Sequence, residues 1–143
     1  MNAKGDRQAV YEEVREMFGI VPQWLTAAPD AALSGFWALM RDFYLAETKI
    51  PNKYKELIGI AVSGATRCRY CTLFHTEAAR FSGATEAEIA EASMMGGATM
   101  IASTWINAMQ IDYDQFKRET YQMLDFAWKK VAARGKPAAP AHA

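Results

Sequence analysis

The chain has 143 residues, 51% of them hydrophobic, and its 16 basic residues balance its 16 acidic ones. That length supports one domain with a core of its own, and an even charge with no basic run argues against nucleic acid or an anionic membrane as partner. Two cysteines are too few for a secreted disulfide scaffold, while their CxxC spacing is one that redox and metal sites use in reducing compartments, so a cytoplasmic protein is expected.

Apolar residues recur at helical spacing almost throughout, and Val and Ile form no strand-like runs between hairpin turns, which predicts an all-α fold. The domain is expected over residues 1–134, followed by a disordered tail at 135–143, "GKPAAPAHA", in which His142 has no role. The first helix is placed at Asp6 to Phe18, stopped by Gly19. Lys4, Asp6, Arg7, Glu12 and Glu13 interrupt any apolar stretch there, so no secretory signal is expected. Asp30 is positioned to cap the next helix, whose Leu33, Phe36, Trp37, Met40, Phe43 and Tyr44 form one stripe assigned to the core.

Pro51 suits the first helical position of "PNKYKELIGIAVSGA", where its missing N–H is not needed. A turn around Thr66 leads into the helix that carries Cys68, Cys71 and His75 and ends at Gly83 in the C′ position. Thr85 and Glu88 form a capping box that opens a further helix. That helix runs into Ala92 to Ile111, a segment without Asp, Glu, Lys or Arg that is long enough to cross a bilayer. Its Gly96, Gly97, Ser93, Thr99, Asn107 and Gln110 favour burial among protein neighbours or at a subunit interface instead. A bend or interruption is expected at Gly96 and Gly97. Met94, Met95, Met100 and Met109, with Trp105, are read as packing residues. The last helix is placed at Tyr113 to Ala133, closed by the cations of Lys129, Lys130 and Arg134. The sequence contains no internal repeat.

The chemistry concentrates between residues 66 and 78, "TRCRYCTLFHTEA". At about 100° per residue, Cys68, Cys71 and His75 share one face of a helix. Thr72, Ala78, Ala79 and Ser82 lie on the same side, leaving room for a close helix or a narrow cleft, and Tyr70, Phe74 and Phe81 project oppositely, an aromatic side expected to enter the core. In a helix's first turn both sulfurs meet unpaired N–H groups and the positive dipole end, which favour thiolate over thiol, and Arg67 and Arg69 add positive charge. Side chains three apart on a helix have Cβ atoms about 5 to 6 Å apart, slightly long for a relaxed disulfide, so a bridge there is expected to cycle. His75 reaches back one turn toward Cys71 with a side chain suited to moving protons near neutral pH.

Folding the Pro51 helix and the cysteine helix into an antiparallel pair about Thr66 brings Glu56, ten residues before the turn, level with His75, nine after it. The carboxylate can then orient the imidazole. The helical wheel also places Glu56 with Asn52, Gly59 and Ser63, opposite Tyr54, Leu57, Ile58, Ala61 and Ala65, so solvent exposure accounts for it equally well.

The pattern of Glu56, eleven residues, Cys68, two residues, Cys71, three residues, His75 resembles the alkylhydroperoxidase D branch of the carboxymuconolactone decarboxylase family, and residues 45 to 100 resemble that family's core. The resemblance implies an all-helical homo-oligomer, a trimer or hexamer, with thiol-dependent peroxidase activity. In that scheme Cys71 attacks the peroxide and becomes a sulfenic acid, Cys68 condenses with it to a disulfide, and Glu56 and His75 relay the proton. It further implies a dithiol reductant, in the best-known branch a dihydrolipoyl group on a protein partner, and no flavin or metal cofactor. Tyr70 departs from the prototype, which carries histidine immediately before the second cysteine, so its proton network is not transferred whole.

Other readings stay open at this stage. Cys68, Cys71, His75 and Glu56 supply four ligand types for zinc, although three of them sit within two turns of one helix and converge poorly on one ion. The decarboxylase branch of the same family would act on a lactone acid without using the thiols. A non-enzymatic redox sensor or interaction module would share the sulfur chemistry without turnover.

Overall fold

Val10 and Val14 stand four apart on α1, Ala3–Phe18, so one turn of that helix presents both to the same neighbour. The structure, a computed structural model, describes residues 3–133. The helix stops where Gly19 takes φ +77°, a left-handed conformation that only glycine adopts without strain. Val10 and Val14 pack with Leu25 from α2, Gln23–Thr26, and with Leu33 and Trp37 from α3, Asp30–Leu39, to form a first core. The Trp37 indole N–H donates to Glu13 at 2.8 Å, and the same carboxylate accepts from Arg41 at 2.6 Å; together they hold Glu13 below the usual carboxylate range. Asp30 is the first residue of α3 and not its cap. The cap position belongs to Pro29, and the Asp30 carboxylate is drawn instead to Arg7, which also donates to the Ala28 carbonyl at 2.6 Å.

After Leu39 the chain widens into a π-helical segment, Met40–Tyr44. A π-turn holds more residues than an α-turn, so the stripe expected from Leu33 to Tyr44 breaks here. Leu33 and Trp37 are buried, but Phe36 and Phe43 are exposed. Tyr44 turns toward the next helix pair.

That pair is α4, Asn52–Thr66, and α5, Arg69–Phe81, which pack against each other. Pro51 lies one position outside α4, as its N-cap. α4 ends in a Schellman turn: Arg67 adopts the left-handed conformation at φ 56°, its N–H bonds to the Gly64 carbonyl at 3.3 Å, and the Cys68 N–H bonds to the Ser63 carbonyl at 3.0 Å. Cys68 is already the N-cap of α5, so the connection is as short as two caps allow. α5 closes the same way at Gly83, φ +81°. Thr85 and Glu88 form the expected capping box, the Thr85 N–H donating to Glu88 at 2.8 Å and the Glu88 N–H to Thr85 at 3.2 Å. Lys53 joins the box at 2.7 Å, and these partners hold the Glu88 carboxyl down at about 2.

α6 then runs unbroken from Glu86 to Ala108, with no interruption at Gly96 and Gly97. Gly96 serves a different purpose. A Cβ there would strike the carbonyl oxygen of Ala61, so its absence lets α6 approach α4. Ile60, Ala79 and Ile89, one from each of α4, α5 and α6, form the second core.

The face of α5 turned inward is its small one. Ala79 and His75 are buried, whereas Tyr70 is 73% and Phe81 95% exposed, contrary to the expectation that the aromatic side enters the core. Two helix backbones meet closely only across small residues, and Ala79 and Gly59 supply them; the bulky rings are left on the outer side.

The chain divides into two compact units, Met1–Gly97 and Ala98–Ala143, and both cores belong to the first. In the second, Asp112 caps α7, Tyr113–Ala132, by accepting from the Gln115 N–H at 2.8 Å, and Lys129 and Lys130 occupy the last turn as expected. Arg134, His142 and the expected disordered tail lie outside the described residues. Among the described residues there is no strand, and no helix is long and apolar enough to cross a membrane.

Candidate active site

Cys68 and Cys71 are joined in a disulfide, with Cα atoms 5.3 Å apart. The Schellman turn puts Cys68 at the N-cap of α5, where its Sγ accepts from the Cys71 N–H at 3.3 Å in place of the usual serine or threonine oxygen. Both sulfurs therefore sit at the positive end of the helix, as the spacing predicted. Arg67 forms the turn, and Arg69 stacks on the Tyr70 ring at 4.9 Å.

One turn further along α5, His75 Nδ1 lies 2.7 Å from Glu56 Oε2 on α4. The carboxylate residue is 4% exposed and the histidine 8%, which decides between the two readings of Glu56 that the sequence left open. The buried face of α4 is Glu56, Gly59, Ile60 and Ser63, and Tyr54, Ile58 and Val62 are on the outside. Gly59 lies against the imidazole so closely that any Cβ would overlap its ring atoms. The Ser63 hydroxyl bonds back to the Gly59 carbonyl at 2.6 Å, which satisfies a polar group that would otherwise be costly in the core.

Tyr44 completes the group from the π-helical segment: its hydroxyl is 2.9 Å from His75 Nε2. Burial, then the nearby Glu56 charge, push its phenol above the ordinary tyrosine range. Phe74 meets the imidazole edge-on at 5.3 Å. Two cavities adjoin the site, one of about 340 Å³ walled by Trp24, Met40, Tyr70 and Phe74, the other of about 450 Å³ walled by Phe43, Ile58 and Val62; Tyr44, Cys71 and His75 border both. Among the described residues no group of three or more His, Cys, Asp and Glu is placed to hold a metal ion.

All four residues singled out from the sequence thus fall within one neighbourhood: the disulfide of Cys68 and Cys71, and the hydrogen-bonded pair of His75 and Glu56. Comparison with known proteins bears on what that neighbourhood is, because the profile of the carboxymuconolactone decarboxylase family matches residues 31–111, the segment that contains it. The chain belongs to the carboxymuconolactone decarboxylase family. Within that family it falls in the alkylhydroperoxidase D-like branch: the crystal structure of the alkylhydroperoxidase AhpD core from Rhodospirillum rubrum is similar at a TM-score of 0.66 and 30% identity, over 78% of this chain and 85% of that one. No curated protein matches significantly. The family is named for a decarboxylase and the structural relative for a peroxidase, so membership indicates an enzyme of one of these two types.

Tyr44 is the residue that sequence reasoning placed elsewhere. An α-helical stripe groups it with core aromatics, whereas it ends the π-helical segment with its hydroxyl against the histidine. A tyrosine at the end of an apolar stripe, followed by a loop and then the Glu56 helix, is the signal the sequence offered.

Proposed function

We propose that the protein is a thiol-dependent peroxidase that reduces hydroperoxides through a dithiol–disulfide cycle at Cys68 and Cys71. The observation that carries this reading is the coupling of a redox-capable pair at a helix N-terminus to a buried carboxylate–imidazole pair, with Cys71 and His75 opening together onto cavities. The decarboxylase reading gives the sulfurs no task.

In the reduced enzyme the Cys71 thiolate attacks the peroxide's outer oxygen. The S–O bond forms as the O–O bond breaks, and two electrons pass from sulfur to oxygen. The departing alkoxide takes up the thiol's proton and leaves as alcohol, with Cys71 a sulfenic acid. The Cys68 sulfur then displaces hydroxide from Cys71, and with one proton this gives water and the disulfide. Two thiols of a dithiol reductant, a dihydrolipoyl group on a lipoylated protein in this reading, restore the pair by exchange and are themselves oxidised. Cys71 is assigned the attack because it borders both cavities, and Cys68, its disulfide partner, the resolving step. Glu56 holds the histidine's Nδ1 and balances its charge when it takes a proton. An antiparallel arrangement of α4 and α5, a homo-oligomeric assembly and a cytoplasmic location complete the proposal.

Peroxide consumption with dihydrolipoamide tests it. Cys71→Ser should abolish turnover, whereas Cys68→Ser should be oxidised once and retain a sulfenic acid on Cys71 that a dimedone probe labels. Oxidation of the wild type once per subunit without recycling by any dithiol would make the pair a sensor and overturn the enzymatic reading. Identical behaviour of the two variants would overturn the division of roles.

A further inference from the structure

We propose that Tyr44 is the group that carries the proton between His75 and the reacting atoms at Cys71, so that the imidazole acts through a phenol and not directly. The inference rests on the peroxidase reading above for the identity of those atoms, but its geometry stands apart from it. Glu56 as a carboxylate can only accept, so the proton of the Glu56–His75 hydrogen bond belongs to Nδ1. In the neutral ring Nε2 is then the acceptor, and the protic group beside it is the Tyr44 hydroxyl, 2.9 Å from Nε2 and 3.4 Å from Nδ1. The Tyr44 hydroxyl thus stands within proton-transfer distance of the histidine's basic nitrogen. Tyr44 and Cys71 line both cavities together, so the phenol, whose oxygen has a further lone pair, is the group placed to take the proton that leaves the Cys71 thiol.

The phenol is held there by its own chain. Tyr44 ends the π-helical segment, and Lys55 of α4, almost wholly buried, donates to the carbonyls of Phe43 at 2.7 Å and Ala46 at 2.6 Å on either side of it. Asn52 adds a bond to the Leu45 carbonyl at 2.9 Å. Two residues from the first turn of α4 thus clamp the backbone that carries Tyr44, while Glu56 on the same helix holds the histidine. The titratable groups around Tyr44 are His75, which its hydroxyl contacts, Glu56, whose charge it feels, and Lys55 from α4 with Cys71 and Tyr70 from α5, which line its cavities.

The transfer balances without an added reagent. The Cys71 thiol proton moves to the Tyr44 oxygen as the Tyr44 proton moves to His75 Nε2, leaving thiolate and an imidazolium paired with Glu56. When the O–O bond breaks, Tyr44 gives its proton to the alkoxide and regains one from Nε2. The sum is thiol plus hydroperoxide to sulfenic acid plus alcohol.

Tyr44→Phe keeps the ring and removes the relay. The expected result is a fall in kcat/KM for peroxide of about a hundredfold, within the usual contribution of a positioned acid–base group; a value within twofold of wild type would overturn the proposal. A second measurement needs no turnover: the pH dependence of iodoacetamide alkylation of Cys71, in reduced Cys68→Ser protein with and without Tyr44→Phe. Loss of the phenol should move the midpoint upward by about one unit, as expected when a hydrogen-bonding partner of the thiolate is lost, and superimposable curves would sink the inference. If Tyr44→Phe does not fold, fluorotyrosine incorporated at position 44 retains the hydroxyl but is more acidic and should shift the same midpoint, with an unmoved midpoint counting against. A wild type inert toward peroxide would refute the peroxidase reading alone, and the alkylation curves would still decide the role of Tyr44.

Discussion

Gly59 shows how one missing methyl sets the geometry of the site. It lies in the interior of α4, where replacing glycine by alanine ordinarily stabilises by about 0.5–1 kcal/mol. At this position a Cβ would overlap the His75 ring, and forcing an atom into a packed core costs about 1–3 kcal/mol. The collision outweighs the helix propensity, so Gly59→Ala should be less stable in urea unfolding and should lose peroxide turnover as His75 is pushed from Tyr44 and Glu56. Gly64 in the same helix supplies the contrast, since a Cβ there meets nothing within 4 Å. Gly64→Ala should leave turnover unchanged and hold or raise stability. Equal effects at both positions would mean that Gly59 contributes only backbone freedom. The sequence named Gly59 as a small neighbour of Glu56, but a wheel ranks faces by hydrophobicity and so left this stripe undecided between solvent and a neighbouring helix. A buried charge with a partner looks the same on a wheel as an exposed one without.

At the scale of elements, what the sequence made legible was what local chemistry decides. Thr85 and Glu88 satisfy each other across one turn whatever the rest of the chain does, and Gly19 and Gly83 end helices because the left-handed residue there is cheapest as glycine. The Schellman turn at Arg67 was not legible, since arginine carries no such signal, and neither was the π-segment, which breaks the period used to read the stripe. Glu88 also makes the α6 start sensitive to pH. Its carboxyl is held at about 2 by Lys53 and the Thr85 N–H, below its ordinary 4.5. A depressed carboxyl contributes stability that is present above the ordinary value and is lost as pH falls through the folded one. Stability should therefore decline between about pH 4.5 and 2, and Glu88→Gln should show a shallower decline over that window in thermal melts. Thr85→Ala should cost about 1 kcal/mol at neutral pH, the usual worth of an N-cap oxygen, without altering the sulfur chemistry.

At the scale of the whole molecule, each of the two units taken by itself leaves apolar side chains exposed. On α5 the rings of Tyr70, Phe74 and Phe81 are exposed with Leu73, and in the second unit none of the described side chains of α7 is buried, although its Phe116, Leu124 and Trp128 are apolar. Single exposed apolar residues are ordinary, but a run of them along one helix face marks a surface that another protein surface covers. The long uncharged part of α6 belongs to the same argument. Met100, Ile101 and Trp105 are exposed there, and no helix among the described residues is long and apolar enough to cross a membrane. A second copy of the chain is the simplest partner, because closed symmetry lets one patch bury itself against its equivalent or a neighbour. The protein should sediment at a multiple of 15.9 kDa, three or six being the stoichiometries proposed. Placing glutamate at Leu73 or Leu124 should lower that mass, since a charge in an apolar interface is left unpaired. A wild type that sediments at 15.9 kDa at micromolar concentration would refute self-association.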